Sequence, residues 1–215
     1  YRSVTMRLAY VAQDRGDLAA AAKYLAQRMK TPKLHDWEQV KCIARYVTTQ
    51  PAARLRFRQP KWPGMATAYT DSDWGSCPIS RKSTSGLVLM HGRHCPRTSS
   101  TLQSLTTLSV AESKFYALIK GASAVLGLQS LFADWGLQVK VELQSDSTSA
   151  KSMADRKGVA KVKHMQTRFL WIQERKADGD ITVAHIGTKL NPADPFTKPL
   201  TGPELDGHMN RIGLI

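Results

Sequence analysis

The feature that most constrains the fold is a short, uncharged, β-prone stretch that runs straight into acids. Met65-Ala-Thr-Ala-Tyr-Thr70 is followed at once by Asp71-Ser-Asp-Trp-Gly75. A buried strand ending in a carboxylate and a turn is how α/β folds present an acid at the carboxyl edge of a sheet. The same device recurs later. Val139, Val141 and Leu143 alternate with Lys140, Glu142 and Gln144, which predicts a strand, and that strand ends at Asp146. Two further acids fall at element boundaries, Glu112 in Ser109-Val-Ala-Glu112 and Asp194 in Asn191-Pro-Ala-Asp194.

Around these acids the periodicity predicts an α/β domain preceded by a small helical subdomain. Residues 3–48 read as largely helical. Leu18, Ala22, Leu25 and Met29 make one stripe with Asp17 near its start, Thr31-Pro-Lys breaks it, and Asp36 caps a second helix carrying Trp37, Val40, Ile43, Ala44 and Val47. Breaks at Thr49-Gln-Pro-Ala-Ala and Gln59-Pro-Lys-Trp-Pro-Gly64 set a helical segment 1–58 apart from a main domain 65–200 and a C-terminal tail 201–215. In the main domain, short turns after the lead strand predict an antiparallel meander through about Ser100. A long helix then runs from Ser109 to about Trp135, its inner face Phe115, Leu118, Ile119, Ala122, Val125 and Leu126, with Gly136 as the residue that stops it. The strand ending at Asp146 leads to a short helix, and Val162, Met165, Phe169 and Ile172 mark another. A last strand covers 181–186, and Asn191-Pro192 opens a final turn. The order predicts a mixed five-stranded sheet flanked by helices.

The formal charge of +14 in 215 residues favours a polyanionic partner, because each phosphate neutralised releases counterions. No uninterrupted apolar run approaches the ~18 residues that span a bilayer, so no membrane partner is expected. The three cysteines, Cys42, Cys77 and Cys95, form no CxxC pair and have no zinc-ligand spacing, which fits a reducing, intracellular setting. The chain opens at Tyr1 without a targeting segment and reads as a piece of something longer.

Each acid has an ordinary explanation of its own. Asp71 or Asp73 fits a turn, Ser109–Glu112 fits the S-x-x-E capping box, Asp146 fits an N-cap, and Asp194 lies between two prolines. Together they fit a different use. Phosphodiester hydrolysis assisted by two divalent ions needs carboxylates from separate elements, since magnesium takes hard oxygen ligands.

Several strings carry a family resemblance. Tyr69-Thr-Asp-Ser-Asp-Trp74, Arg81-Lys-Ser-Thr-Ser-Gly86, Ser109-Val-Ala-Glu112 with Tyr116-Ala-Leu118, Ser145-Asp146, Lys163-His164 and Ala193-Asp-Pro-Phe-Thr-Lys-Pro-Leu200 closely resemble the ribonuclease H domain of copia-type LTR retrotransposon polyproteins. Tyr1-Arg-Ser, Trp37-Glu and Arg45-Tyr46 resemble the end of the reverse transcriptase region that precedes it. The resemblance implies a ribonuclease H-like sheet and endonucleolytic cleavage of RNA in RNA–DNA hybrids. It implies Asp71, Glu112, Asp146 and Asp194 as a catalytic set holding two Mg2+ ions, with Mn2+ as a substitute. It implies an upstream polymerase domain as partner and a cytoplasmic virus-like particle as the place of action. The chain departs from the pattern at Thr98, where the family usually has Trp, at Lys114, where it has a second Glu, and at Asp14-Arg-Gly-Asp17. None of these departures removes a proposed ligand.

Substrate grip is expected from Arg81, Lys82, Ser83 and Ser85, a turn beside the lead strand that can meet phosphates or 2′-hydroxyls. Lys151, Lys157, Lys161 and Lys163 form a second basic stretch. His164 and His185 read as core or surface histidines outside the catalytic set. Two alternatives remain. One is a catalytically decayed relic of the same domain that keeps the fold and the charge. The other is an integrase-like enzyme, whose acids would run Asp, Asp, Glu rather than placing the Glu second.

Overall fold

The structure, a computed structural model, describes residues 1–57, 61–158 and 170–215. Five strands form one sheet in the order β3-β2-β1-β4-β5. They are β1 (Met65–Asp73), β2 (Thr84–His91), β3 (His94–Leu102), β4 (Lys140–Ser145) and β5 (Thr182–His185). β1, β2 and β3 make the expected antiparallel meander, while β4 runs parallel to β1 and β5 parallel to β4. The sheet is therefore mixed: β2 runs against the other four strands, and pairing changes from antiparallel to parallel at β1. Parallel neighbours need a long crossover, and the helix α4 (Val110–Asp134) supplies the one between β1's meander and β4.

α4 is the central core helix. Phe115, Leu118, Ala122 and Val125 on it meet Ala66, Ala68, Leu87, Leu89, Val141 and Leu143 of the sheet in one buried cluster. The packing is close because Gly121 lacks a side chain where α4 crosses β1; a Cβ there would run into Thr70 Cγ2. By length and composition alone α4 would pass for a membrane span, and it is the only such helix among the described residues. Its apolar residues are instead spent on this core. Ser109 caps it, accepting from the backbone N–H of Glu112 at 3.2 Å.

The helical segment begins with α1 (Arg2–Val11), α2 (Ala19–Gln27) and α3 (Leu34–Thr49). α3 starts two residues before the expected cap. Asp36 sits in its first turn and reaches back to accept from Lys33 N at 2.8 Å, so it caps from inside the helix. The segment rests on the sheet: Lys23 on α2 donates to Thr84 Oγ1 at 2.8 Å, and Ala19 packs on a second cluster built from Val88, Met90, Phe196 and Ile212.

Residues 201–215 are more than a trailing tail. They form α7 (Gly202–Arg211), opened by a Thr201–Glu204 capping box. The chain then returns to pair with residues 54–56 through Arg54 N to Ile215 O and Arg56 N to Gly213 O. Two short helices, α5 (Thr148–Asp155) and α6 (Trp171–Ala177), complete the other flank. The helix expected from Val162 to Ile172 lies mostly outside the described residues.

Candidate functional site

β1 and β4 run side by side in the same direction, with Thr70 opposite Ser145. Their next residues, Asp71 and Asp146, are thereby delivered to the same edge of the sheet. A 3-10 turn, Asp194–Phe196, adds Asp194 from the other side. That turn is anchored by Asn191, whose Nδ2 donates to Thr70 O at 3.0 Å and whose Oδ1 accepts from Ala193 N at 3.1 Å. It lies directly on β2, because Gly86, the register partner of Asp71, has no Cβ to hold it off.

What joins the aspartates is a cation at one of the positions where the chain departs from the family pattern. Lys114, on the first turns of α4, places its ammonium between them, donating to Asp71 Oδ1 at 3.1 Å and to Asp146 Oδ1 at 2.5 Å. Its side chain is 16% exposed and each aspartate side chain 6%, so the cluster is largely closed to water. The remaining oxygens are taken as well. Asp71 Oδ2 accepts from Thr197 Oγ1 at 2.6 Å, Asp146 Oδ2 from Thr188 Oγ1 at 3.1 Å, and Asp194 Oδ2 from Lys198 Nζ at 2.9 Å.

Glu112 has a different environment from the one expected. Its carboxylate turns back to accept from the backbone N–H of Leu108 at 2.8 Å, one residue before the Ser109 cap that accepts from Glu112 N. Of the two positions, 112 and 114, it is 114 whose side chain reaches Asp71 and Asp146. The departure at Lys114 therefore bears directly on the acid cluster. Among the described residues, no three His, Cys, Asp or Glu side chains are grouped so as to hold a metal ion.

The electrostatics follow from burial and neighbours. Burial pushes the Asp194 carboxyl above its ordinary value; Lys198 opposes this and Asp71 reinforces it. Burial works against the charge of Lys114, but Asp71 and Asp146 outweigh it and raise its pKa. Asp73 is raised first by burial and then by Asp71, with Lys23 and Lys198 opposing. Lys23 is thus a charge from the helical segment that faces this edge of the sheet.

The expected substrate turn divides. Arg81 is exposed, in a left-handed conformation (φ 56°), and Lys82 is half-exposed. Ser83 and Ser85 are buried, which corrects their assignment to the substrate surface. The Ser83 hydroxyl bonds to Thr107 Oγ1 at 3.0 Å and accepts from Gly75 N at 3.1 Å, and Ser85 Oγ accepts from Gln103 Nε2 at 2.8 Å. Both tie loops together. In the second basic stretch Lys157 is exposed and Lys151 is paired with Asp155 at 2.7 Å. Lys161, Lys163 and His164 lie outside the described residues. His185 brings Nε2 to 3.2 Å from Asp146 O, beside the cluster.

The fold and site define a mixed five-stranded α/β domain whose adjacent parallel strands deliver aspartates to one sheet edge. The chain is 26% identical over 218 aligned residues to the retrovirus-related Pol polyprotein of transposon RE2 from Arabidopsis thaliana, an alignment covering all of this chain and 15% of the polyprotein. It is 30% identical over 188 residues to that of transposon TNT 1-94 from Nicotiana tabacum, covering 86% of this chain and 14% of the polyprotein. No family model matches it. Among solved structures it is similar to LC11-RNase H1 in complex with RNA/DNA hybrid, at 19% identity and a TM-score of 0.42, over 61% of this chain and 93% of that one. The chain is thus similar to retrovirus-related Pol polyproteins of plant transposons, and a copia-type ribonuclease H region fits it. It spans about a seventh of the length of these relatives.

Proposed function

We propose that this chain is a ribonuclease H domain that binds RNA–DNA hybrid during transposon reverse transcription, next to the polymerase of the same polyprotein, in a cytoplasmic particle. Support comes from the relationship to Pol polyproteins and from the +14 charge, which suits a duplex backbone. The hydrolytic reading of such a domain has Asp71, Glu112, Asp146 and Asp194 holding two Mg2+ ions, or Mn2+ in their place. Ions so held would supply an activated water and stabilise the departing 3′-oxygen.

The residues present do not fit that pair of ions. Asp71 and Asp146 already give one oxygen each to Lys114 and the other to a threonine hydroxyl, Asp194 is paired with Lys198, and Glu112 caps its own helix. The single observation that favours one of the two readings is the Lys114 ammonium, which supplies charge that a metal would otherwise supply. The reading it favours is a domain that holds hybrid without hydrolysing it. On this reading Arg81, Lys82 and Lys157 meet phosphates, and the acid cluster is structural.

The experiment is a labelled RNA–DNA hybrid incubated with the protein in Mg2+ and in Mn2+, with binding followed in parallel by filter retention over a salt series. Salt-sensitive retention with uncut RNA is expected. Divalent-dependent cutting that disappears in Asp146→Asn would establish the hydrolytic reading instead.

A further inference from the structure

Lys114 is a cation held by covalent attachment to α4 at the place where two buried carboxylates converge. It approaches both at hydrogen-bond distance, and the three groups come from β1, from the residue just after β4, and from α4. Two carboxylates that share one partner in a closed site repel each other, and without a compensating cation one of them would take up a proton. An ammonium between them resolves this as a divalent ion would, but it brings one positive charge, needs no coordination sphere and cannot dissociate. The surrounding groups are consistent with a site balanced without metal. Thr197 and Thr188 donate to the outer oxygens of Asp71 and Asp146, Lys198 neutralises Asp194, and Asp73 faces Lys23.

We infer that Lys114 is a built-in substitute for a divalent cation, tying β1, β4 and α4 together, and that exchanging it for an acid opens a Mg2+ or Mn2+ site formed with Asp71 and Asp146. The inference rests on the non-hydrolytic reading above, yet concerns metal uptake, which is measured without hybrid. Removing the ammonium uncovers one oxygen on each aspartate. Lys114→Glu adds a third carboxylate on the same side-chain path, which is the hard-oxygen donor set that magnesium and manganese take.

The test is a Mn2+ titration of the full chain followed by the electron paramagnetic resonance signal of free Mn2+. Thermal melts in EDTA and in Mn2+ accompany it. The parent protein is expected to leave the free-ion signal unchanged and to melt at one temperature in both buffers. Lys114→Glu is expected to bind at least about tenfold more tightly than the parent, about 1.4 kcal/mol, since it replaces a positive charge beside the ion with a negative one. Its melting temperature should rise with Mn2+, and adding Asp146→Asn should abolish both effects. Two results overturn the inference: stoichiometric Mn2+ uptake by the parent that is lost in Asp146→Asn, or a folded Lys114→Glu that takes up none. If Lys114→Glu stays unfolded in both buffers, Lys114→Met decides, because it removes the charge and keeps the length. It is expected to take up Mn2+ where the parent does not, and a folded Lys114→Met that fails to do so is equally fatal. Hybrid retention separates the two claims. A parent that binds hybrid and also Mn2+ refutes the role of Lys114 alone, whereas one that binds neither refutes the hybrid grip alone.

Discussion

Gly86→Ala tests whether the acid edge is assembled by close backbone approach. Gly86 is the third residue of β2, opposite Asp71, and a Cβ built on it lies 2.6 Å from Ala193 O, 2.8 Å from Thr197 Cγ2 and 3.1 Å from Phe196 Cβ. Two of these atoms cannot yield easily. Ala193 O is backbone, and Phe196 is fully buried against Val88, Met90, Met209 and Ile212. The turn must move off the sheet, and overpacking of this kind costs about 1–3 kcal/mol. The shift also stretches the 2.6 Å bond from Thr197 Oγ1 to Asp71 Oδ2. A bond to a charged group is worth about 1.5–3 kcal/mol. Against this, replacing a strand glycine recovers about 0.5–1 kcal/mol of unfolded-state entropy. The net expectation is a loss of about 2–4 kcal/mol, or a fall in melting temperature of roughly 4–16 °C for a chain of this size. Gly127→Ala is the control, since that exposed residue of α4 has nothing within 4 Å of a built Cβ. It should stabilise by about 0.5–1 kcal/mol. Urea denaturation of both variants gives the comparison. A Gly86→Ala loss below about 0.5 kcal/mol would show that the missing Cβ is not what seats the turn.

Other outcomes follow from the same structure. Glu112→Ala should cost about 1 kcal/mol in urea melts and leave hybrid retention unchanged, as expected of a cap rather than a ligand. Asp155 lies between Lys151 and Lys176; partial burial works against its charge, but the two lysines outweigh it and hold its pKa below the ordinary value of 3.8. A depressed carboxylate stabilises above its unfolded pKa and loses that contribution as pH falls through the folded one. Asp155→Asn should therefore cost no more than about 1 kcal/mol at neutral pH and fade below the carboxylate range, with a smaller difference in high salt. With a maleimide probe at pH 8, exposed Cys42 should react first. Cys95, buried and raised to about 12, should stay unlabelled until the protein unfolds.

What the sequence made legible was mostly local. The run of small, uncharged residues from Met65 to Thr70 and the alternation from Val139 to Leu143 are strand patterns that need no partner to recognise. Each visibly stops at an acid. The long helix was equally plain, because its apolar stripe and its Ser109 cap agree. That the two strands are parallel neighbours is a fact about topology, which local periodicity does not encode. Asp71 and Asp146 meet as their strand ends suggested, while the placement of Glu112 turned on direction. At about 100° per residue, Glu112 and Lys114 flank the Phe115–Leu118–Ala122 stripe on opposite sides, by nearly equal angles. Which flank faces Asp71 and Asp146 is set by how α4 crosses β1, and that depends on the contact at Gly121 and Thr70, far from either residue in sequence. Ser83 and Ser85 misled for a related reason, since a polar string between glycines looks like a solvated turn until Thr107 and Gln103 are seen covering it. A motif identifies the residues that share a site only after the packing has fixed which way each one points. Here one helix residue off the motif's expected chemistry, Lys114, meets both aspartates.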